Sequence, residues 1–271
     1  MAMDSFTRNG MTFDVTDAGP ADGPVVILLH GFPQDRTAWD QVTPLLNEAG
    51  LRTLAPDQRG YSPRATPRGR SAYVVPELVR DVEALIDASG AERVHLVGHD
   101  WGGGVAWAAR SALADRLWAV TVLSTPHTAA MLKTPSQWPH SAYMLGFQVP
   151  WVAERAVQRT LPGLYISGGV AKEQALHYAE RFKDPASLTG PLNWYRAMLS
   201  KTAKTPRGPK SQVPTTYLWG SRDPFLGRAA AERTAEFVSG DYEFREIDAQ
   251  HWLPETNPQD VVDAITRVPA P

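Results

Sequence analysis

The sequence predicts an α/β protein with a mostly parallel sheet, helices on both faces and a helical insertion. Three observations carry that prediction. Short aliphatic-rich runs, at residues 25–29, 94–97 and 119–123, have the near-continuous apolar character of strands buried on both faces. Stretches with helical spacing alternate with them. The alternation breaks over residues 127–212, where no buried strand is evident, and resumes at Thr215.

The elements follow in order. Residues 5–8 and 11–15 flank Asn9-Gly10, a two-residue hairpin signal. The segment from Pro20 to Pro24 is a turn, and Val25-Val26-Ile27-Leu28-Leu29 then runs into His30-Gly31-Phe32-Pro33. Trp39, Val42, Leu45 and Leu46 have helical spacing with Gly50 as a stop. A strand at 51–55 ends at Pro56-Asp57, and the Arg-, Pro- and Gly-rich segment 58–71 reads as a loop. Leu78, Val79, Val82, Leu85 and Ile86 mark an amphipathic helix closed by Gly90. After the strand at Val94 a helix is expected over 104–114, then a strand over 119–123. The insertion carries helical patterns, many prolines and aromatics with an exposed pattern, and 201–210 reads as a basic, Pro-rich connector. Beyond it come a strand at 215–219, a helix over 229–238, a strand at 242–247 and a final helix with Asn257 as cap and Pro258 first. The expected division is a core at 1–126 and 213–271 with a helical lid at 127–212 between its halves.

Composition narrows the function. With 271 residues, 43% hydrophobic and 21% charged, the chain has the make-up of a soluble globular protein with a sizeable core. A formal net charge of −2 gives no electrostatic case for nucleic acid or an anionic membrane. No apolar run is long enough to span a bilayer, and the polar first ten residues predict no secretory leader, so a cytoplasmic location is expected. Cysteine is absent, which excludes disulfides, thiol catalysis and Cys-ligated metal.

The chemistry centres on Gly98-His99-Asp100-Trp101-Gly102. A strand, a sharp glycine-flanked turn and a helix make the layout of a nucleophile elbow, with Asp100 at its apex where an esterase has Ser. An aspartate is ionised near neutral pH and needs no base to attack an electrophilic sp3 carbon. The resulting ester must then be hydrolysed, and that step needs a base. His251, after the last predicted strand, is the candidate, whereas His95, His99, His127, His140 and His177 are expected to be structural or on the surface, and His30 to hold its loop. Asp223, just beyond the strand at 215–219, is the candidate orienting acid, and the order nucleophile, acid, base fits this type of fold. Backbone N–H groups of Phe32 and Trp101 are the expected oxyanion hole. Phe32, Trp101, Phe225, Leu226 and Trp252 are expected to line an apolar pocket.

His30-Gly31-Phe32-Pro33, Asp57-Gln58-Arg59-Gly60-Tyr61-Ser62 and Gly98-His99-Asp100-Trp101-Gly102-Gly103, with Asp223 and His251, resemble the α/β-hydrolase-fold epoxide hydrolases. The resemblance covers nearly the whole core and extends into the insertion, which corresponds to that family's cap. Tyr143, in Ala142-Tyr143-Met144-Leu145-Gly146-Phe147, and Tyr195, in Asn193-Trp194-Tyr195-Arg196, resemble the cap motifs whose two tyrosines face the nucleophile. The resemblance implies hydrolysis of an apolar epoxide to a 1,2-diol, with no metal or other cofactor. Opening an epoxide creates an alkoxide, which gives two phenol donors a purpose. The chain departs from the family in Arg59-Gly60-Tyr61-Ser62-Pro63-Arg64 and in the three glycines Gly102 to Gly104. The alternatives are a haloalkane or haloacid dehalogenase on the same fold and, from another class, a non-catalytic ligand receptor. A serine esterase is disfavoured because no Ser occupies the elbow. The sequence leaves the choice between monomer and homodimer open.

Overall fold

The computed structural model describes residues 2–200 and 211–270, so the connector read at 201–210 lies outside the described residues. One sheet contains eight strands: β1 (Ser5–Arg8), β2 (Met11–Ala18), β3 (Val25–Leu29), β4 (Arg52–Pro56), β5 (Val94–His99), β6 (Leu117–Leu123), β7 (Thr215–Gly220) and β8 (Tyr242–Ile247). Their order is β1-β2-β4-β3-β5-β6-β7-β8. β1 and β2 form the expected hairpin, with φ of 49° at Asn9 and 76° at Gly10, the positive values that a two-residue turn of this hand requires. β2 also pairs antiparallel with β4, and every later pair is parallel.

All residues of β3, β5, β6 and β7 are buried, which is why their sequences lack polar alternation. β8 is only half-buried because it forms the sheet edge beside β7. Helices α1 (Thr43–Glu48), α2 (Val75–Ser89) and α3 (Trp101–Ala112) connect the early strands. α2 buries Leu78, Val79, Val82, Leu85 and Ile86 and stops at Gly90, whose φ is 75°. Between β6 and β7 the described residues form α4 (Thr128–Lys133), α5 (Tyr143–Gly146), α6 (Val152–Ser167), α7 (Lys172–Arg181) and α8 (Thr189–Ala197), and no strand. α9 (Arg228–Arg233), α10 (Leu253–Thr256) and α11 (Pro258–Ile265) complete the chain. No helix among the described residues is long and apolar enough to cross a membrane.

Three expectations are corrected. α3 begins at Trp101 instead of Gly104, because Gly102 serves packing and not chain reversal. A Cβ there would lie 2.3 Å from the Leu29 carbonyl oxygen, so the glycine lets the first turn of α3 press against the end of β3. The helix expected over 229–238 is α9 followed by a 3-10 turn, Thr234–Phe237. Asn257 does stand at the N-cap of α11, but its side chain makes no capping bond to the backbone. Its Nδ2 donates to Asp260 Oδ2 at 3.2 Å instead.

The carboxyl ends of β3, β5, β7 and β8 lead directly into His30, Asp100, Ser221 and Asp248, so the residues that follow them share one crevice at the sheet edge. Gly102→Ala should test the closeness of the α3–β3 contact. A loss of about 3 kcal/mol is expected from overpacking, read as a fall in the urea midpoint with an unchanged slope.

Candidate active site

Asp100 joins β5 to α3 with φ 50° and ψ −117°, a conformation costly for a residue with a side chain. The surroundings fix it. Its N–H donates to Leu123 O at 3.3 Å, and its carbonyl accepts from Thr125 Oγ1 at 2.7 Å and from Gly104 N at 3.0 Å. Gly98 permits the turn, since a Cβ there would lie 2.2 Å from the Gly102 carbonyl oxygen. The side chain of Asp100 is thereby projected into the crevice.

Its two carboxylate oxygens have different partners. Oδ1 accepts from the Phe32 N–H at 2.8 Å, and Oδ2 faces His251 Nε2 at 3.6 Å. His251 Nδ1 lies 2.7 Å from Asp223 Oδ2, while Asp223 Oδ1 accepts from the N–H groups of Phe225 at 2.8 Å and Leu226 at 3.0 Å. Asp100, His251 and Asp223, far apart in the sequence, are thus brought into one line. Of the two amides expected to form an oxyanion hole, Phe32 touches Asp100. Among the described residues no such bond joins the Trp101 amide, which opens α3 and lacks a helical partner by position.

Charge explains the protonation of this line. Burial works against an imidazolium at His251, but the Asp223 charge and contacts to both carboxylates overcome it and raise the pKa to about 10. Burial likewise works against ionised Asp100, yet the His251 contact and the Phe32 N–H hold its carboxyl below the usual range. The resting site is therefore one cation between two anions.

The two tyrosines form one wall with the residues that flank Asp100 and His251. Tyr195 of α8 is 2% exposed, with its ring 5.0 Å from Trp101 and 5.1 Å from Phe32 between centroids. Tyr143, at the start of α5, lies 6.3 Å from Tyr195 and 5.9 Å from Phe225. Burial and the negative charge of Asp100 push both phenols upward, so both are proton donors at neutral pH. Phe225 also contacts His251, at 5.1 Å. Leu226 is placed by its backbone on Asp223, and Trp252 packs behind His251, 4.9 Å from it and 4.6 Å from Tyr165. Phe147 belongs to this wall and was missed: its ring lies 5.6 Å from Phe32, 5.3 Å from Tyr143 and 4.9 Å from Tyr195. Its position four residues after Tyr143 was the available signal.

Residues 24–258 match the family model of the α/β-hydrolase fold. Epoxide hydrolase A of Mycobacterium tuberculosis is 34% identical, over 95% of this chain and 94% of its own. The chain belongs to the α/β-hydrolase-fold epoxide hydrolases. The AB hydrolase superfamily protein YfhM of Bacillus subtilis is 35% identical, over 92% of this chain and 91% of its own. Among solved structures, epoxide hydrolase A of Mycobacterium thermoresistibile superposes with a TM-score of 0.83 at 30% identity, covering 97% of each chain. An epoxide hydrolase from a hot-environment metagenome gives 0.85 at 28% identity, covering 100% of this chain and 98% of that one.

In this epoxide-hydrolase fold the insertion is tied to the core beside the Phe32 loop. Gln174, His177, Tyr178 and Arg181 occupy one face of α7 by their i, i+3, i+4, i+7 spacing. Gln174 Nε2 donates to Thr37 Oγ1 at 2.9 Å, and His177 Nε2 meets Asp35 Oδ2 at 3.0 Å. Arg181 reaches Asp35 at 3.3 Å and Asp57 at 3.1 Å. His177, expected to be structural or on the surface, is half-exposed and joins this face to the core. Burial opposes ionised Asp35, but His177, Arg181 and Thr37 outweigh it and hold the carboxyl well below the usual carboxylate range. A depressed folded pKa stabilises the fold fully above the unfolded value of about 4, and that contribution is lost as pH falls below it. Asp35→Asn should therefore cost about 2 kcal/mol at pH 7, the scale of a hydrogen bond to a charged group. The difference from the parent should shrink at pH 3, as read from urea midpoints at the two pH values.

Proposed function

We propose that this chain hydrolyses a small apolar epoxide to a 1,2-diol through an ester on Asp100. The observation that carries this reading is a carboxylate that faces His251 Nε2 at 3.6 Å, with the rings of Tyr195 and Tyr143 packed on the flanking Trp101, Phe32 and Phe225. Residues 127–212 are proposed to act as a cap over the core formed by 1–126 and 213–271. The proposed reactants are the epoxide and water, without a cofactor, in the cytoplasm.

The proposed route uses these contacts. Oδ2 of Asp100 attacks a ring carbon; the C–O bond of the epoxide breaks, and Tyr143 or Tyr195 gives its proton to the departing oxygen. The product is an alkyl ester with a hydroxyl on the neighbouring carbon and a phenolate across the site. Esterification removes one of the two negative charges that raise His251, so its pKa falls and its proton passes to the phenolate. Neutral His251, held by Asp223, then takes a proton from water as the hydroxide adds to the ester carbonyl carbon. Oδ1, already at the Phe32 N–H, becomes the oxyanion, and the Trp101 amide is the proposed second donor. Collapse expels the diol oxygen, which takes the proton from His251. The new carboxyl of Asp100 returns a proton to His251, and the resting charges are restored.

Halide loss, by contrast, yields an anion that needs N–H donors and no proton. A paired assay separates the two chemistries: aryl and alkyl epoxides with diol followed by chromatography, and haloalkanes and haloacetates with released halide followed. Diol without halide is expected; halide without diol overturns the reading.

Asp100→Asn is expected to abolish diol formation while leaving the circular dichroism spectrum unchanged. The double change Tyr143→Phe with Tyr195→Phe should slow ester formation by at least about 100-fold, the scale of general acid catalysis. Single-turnover hydrolysis of the ester should accelerate with rising pH through an inflection well below 10, the resting value of His251. An inflection at the resting value would show that Asp100 does not control the base.

A further inference from the structure

Beside the Phe32 loop a polar chain runs from Glu255 of α10 to the Gly31 N–H. Glu255 Oε1 accepts from Gln34 Nε2 at 2.6 Å and from the Tyr178 hydroxyl at 3.0 Å. Gln34, fully buried, turns its Oε1 to the Gly31 N–H at 2.9 Å and to His99 Nδ1 at 2.9 Å. His99 Nε2 in turn meets the backbone carbonyl of His251 at 2.9 Å. The same oxygen accepts from Ser124 Oγ at 2.9 Å.

An amide has two orientations, and here the difference between them matters. Turned over, Gln34 would set its NH2 against the Gly31 N–H, donor on donor, and its oxygen against Glu255, acceptor on acceptor. The Gly31 N–H, which can only donate, selects the orientation in which Oε1 faces it, and Glu255 receives the NH2 at the other end. Gly31 immediately precedes Phe32, whose N–H is the donor on Asp100 Oδ1. Gln34 also lies one peptide past Pro33, so both sides of that donor are fixed by the same amide.

Resting on the ester route above, we propose that Glu255 is a positioning residue for ester hydrolysis, acting through Gln34 to hold the Phe32 N–H on the developing oxyanion. Its role is to accept hydrogen bonds. Burial pushes its acid up to about 7, and a carboxylic acid and a carboxylate both present an acceptor to Gln34. The step affected is specific. The Asp100 oxygen at Phe32 N–H loses charge as the ester forms and gains it when hydroxide adds, so a displaced donor penalises hydrolysis selectively.

The test separates the two half-reactions by single-turnover mixing with styrene oxide or, if it is inert, the panel epoxide giving most diol. Trapped ester is followed by protein mass and diol by chromatography. Glu255→Met removes the acceptor at similar volume. It should slow ester hydrolysis roughly 10–100-fold, below the full cost of deleting an oxyanion donor, while ester formation stays within about threefold. Glu255→Gln keeps an acceptor and should restore hydrolysis to within about threefold of the parent. Hydrolysis unchanged in Glu255→Met, or both half-reactions slowed equally, overturns the proposal. So does a Gln variant as impaired as the Met variant. If Glu255→Met yields no folded protein, Gln34→Met cuts the same link from its other end, and normal hydrolysis there is likewise decisive. Absence of any trapped ester in a hydrolysis-blocked His251→Gln enzyme would instead overturn the ester route itself.

Discussion

The site rests on an imidazolium held between the carboxylates of Asp100 and Asp223. Its strength is visible by comparison with two other buried histidines of this chain. Burial takes His95 down to about 3, and burial with the nearby His251 charge takes His99 to about 3. His251 is as deeply enclosed, yet the Asp223 and Asp100 carboxylates carry it to about 10. The difference is made by partners, and it requires three separate strand ends to meet. β5 delivers Asp100, β7 delivers Asp223 and β8 delivers His251, each just past the carboxyl edge of one parallel sheet. The fully buried strands β3, β5, β6 and β7 supply the rigid frame that keeps those ends in register.

Much of this was legible because it is local. Periodicity located all eight strands to within a few residues, since buried parallel strands and amphipathic helices differ in their spacing of apolar residues. The elbow was legible because a strained turn leaves glycines in fixed places around Asp100. Asp223 and His251 were found by their positions after strands, and Tyr143 and Tyr195 through the family's cap motifs. The start of α3 was misplaced because glycine weakens a helix by local propensity, and only the neighbouring β3 carbonyl explains why glycine is needed there. Gln34 and Glu255 were missed for a related reason. They are separated by 221 positions, and a polar pair buried by tertiary packing leaves no periodic trace.

The insertion is joined to the core by two kinds of contact with different consequences. Near the crevice the joint is aromatic: Tyr195 on Phe32 and Trp101, and Tyr143 on Phe225. Such contacts are tolerant of small shifts. Along α7 the joint is ionic and hydrogen-bonded, with Arg181 spanning Asp35 and Asp57 and Tyr178 reaching Glu255. Directional contacts of this kind fix position. Inside the insertion the buried pair of Arg196 with Glu154 locks α8 to α6, and Arg196 is the residue after Tyr195. The phenol is thus carried on a helix that is itself anchored from behind.

The elbow separates what holds the protein together from what it does. The backbone at position 100 is fixed by Gly98, Leu123, Gly104 and Thr125 through main-chain contacts, none of which involves the carboxylate. Any small L-residue at that position meets the same backbone cost. A different side chain at position 100 would therefore inherit the same backbone, beside the same pair of His251 and Asp223. The glycines at 98 and 102 have no such freedom, because a side chain at either would overlap neighbouring backbone.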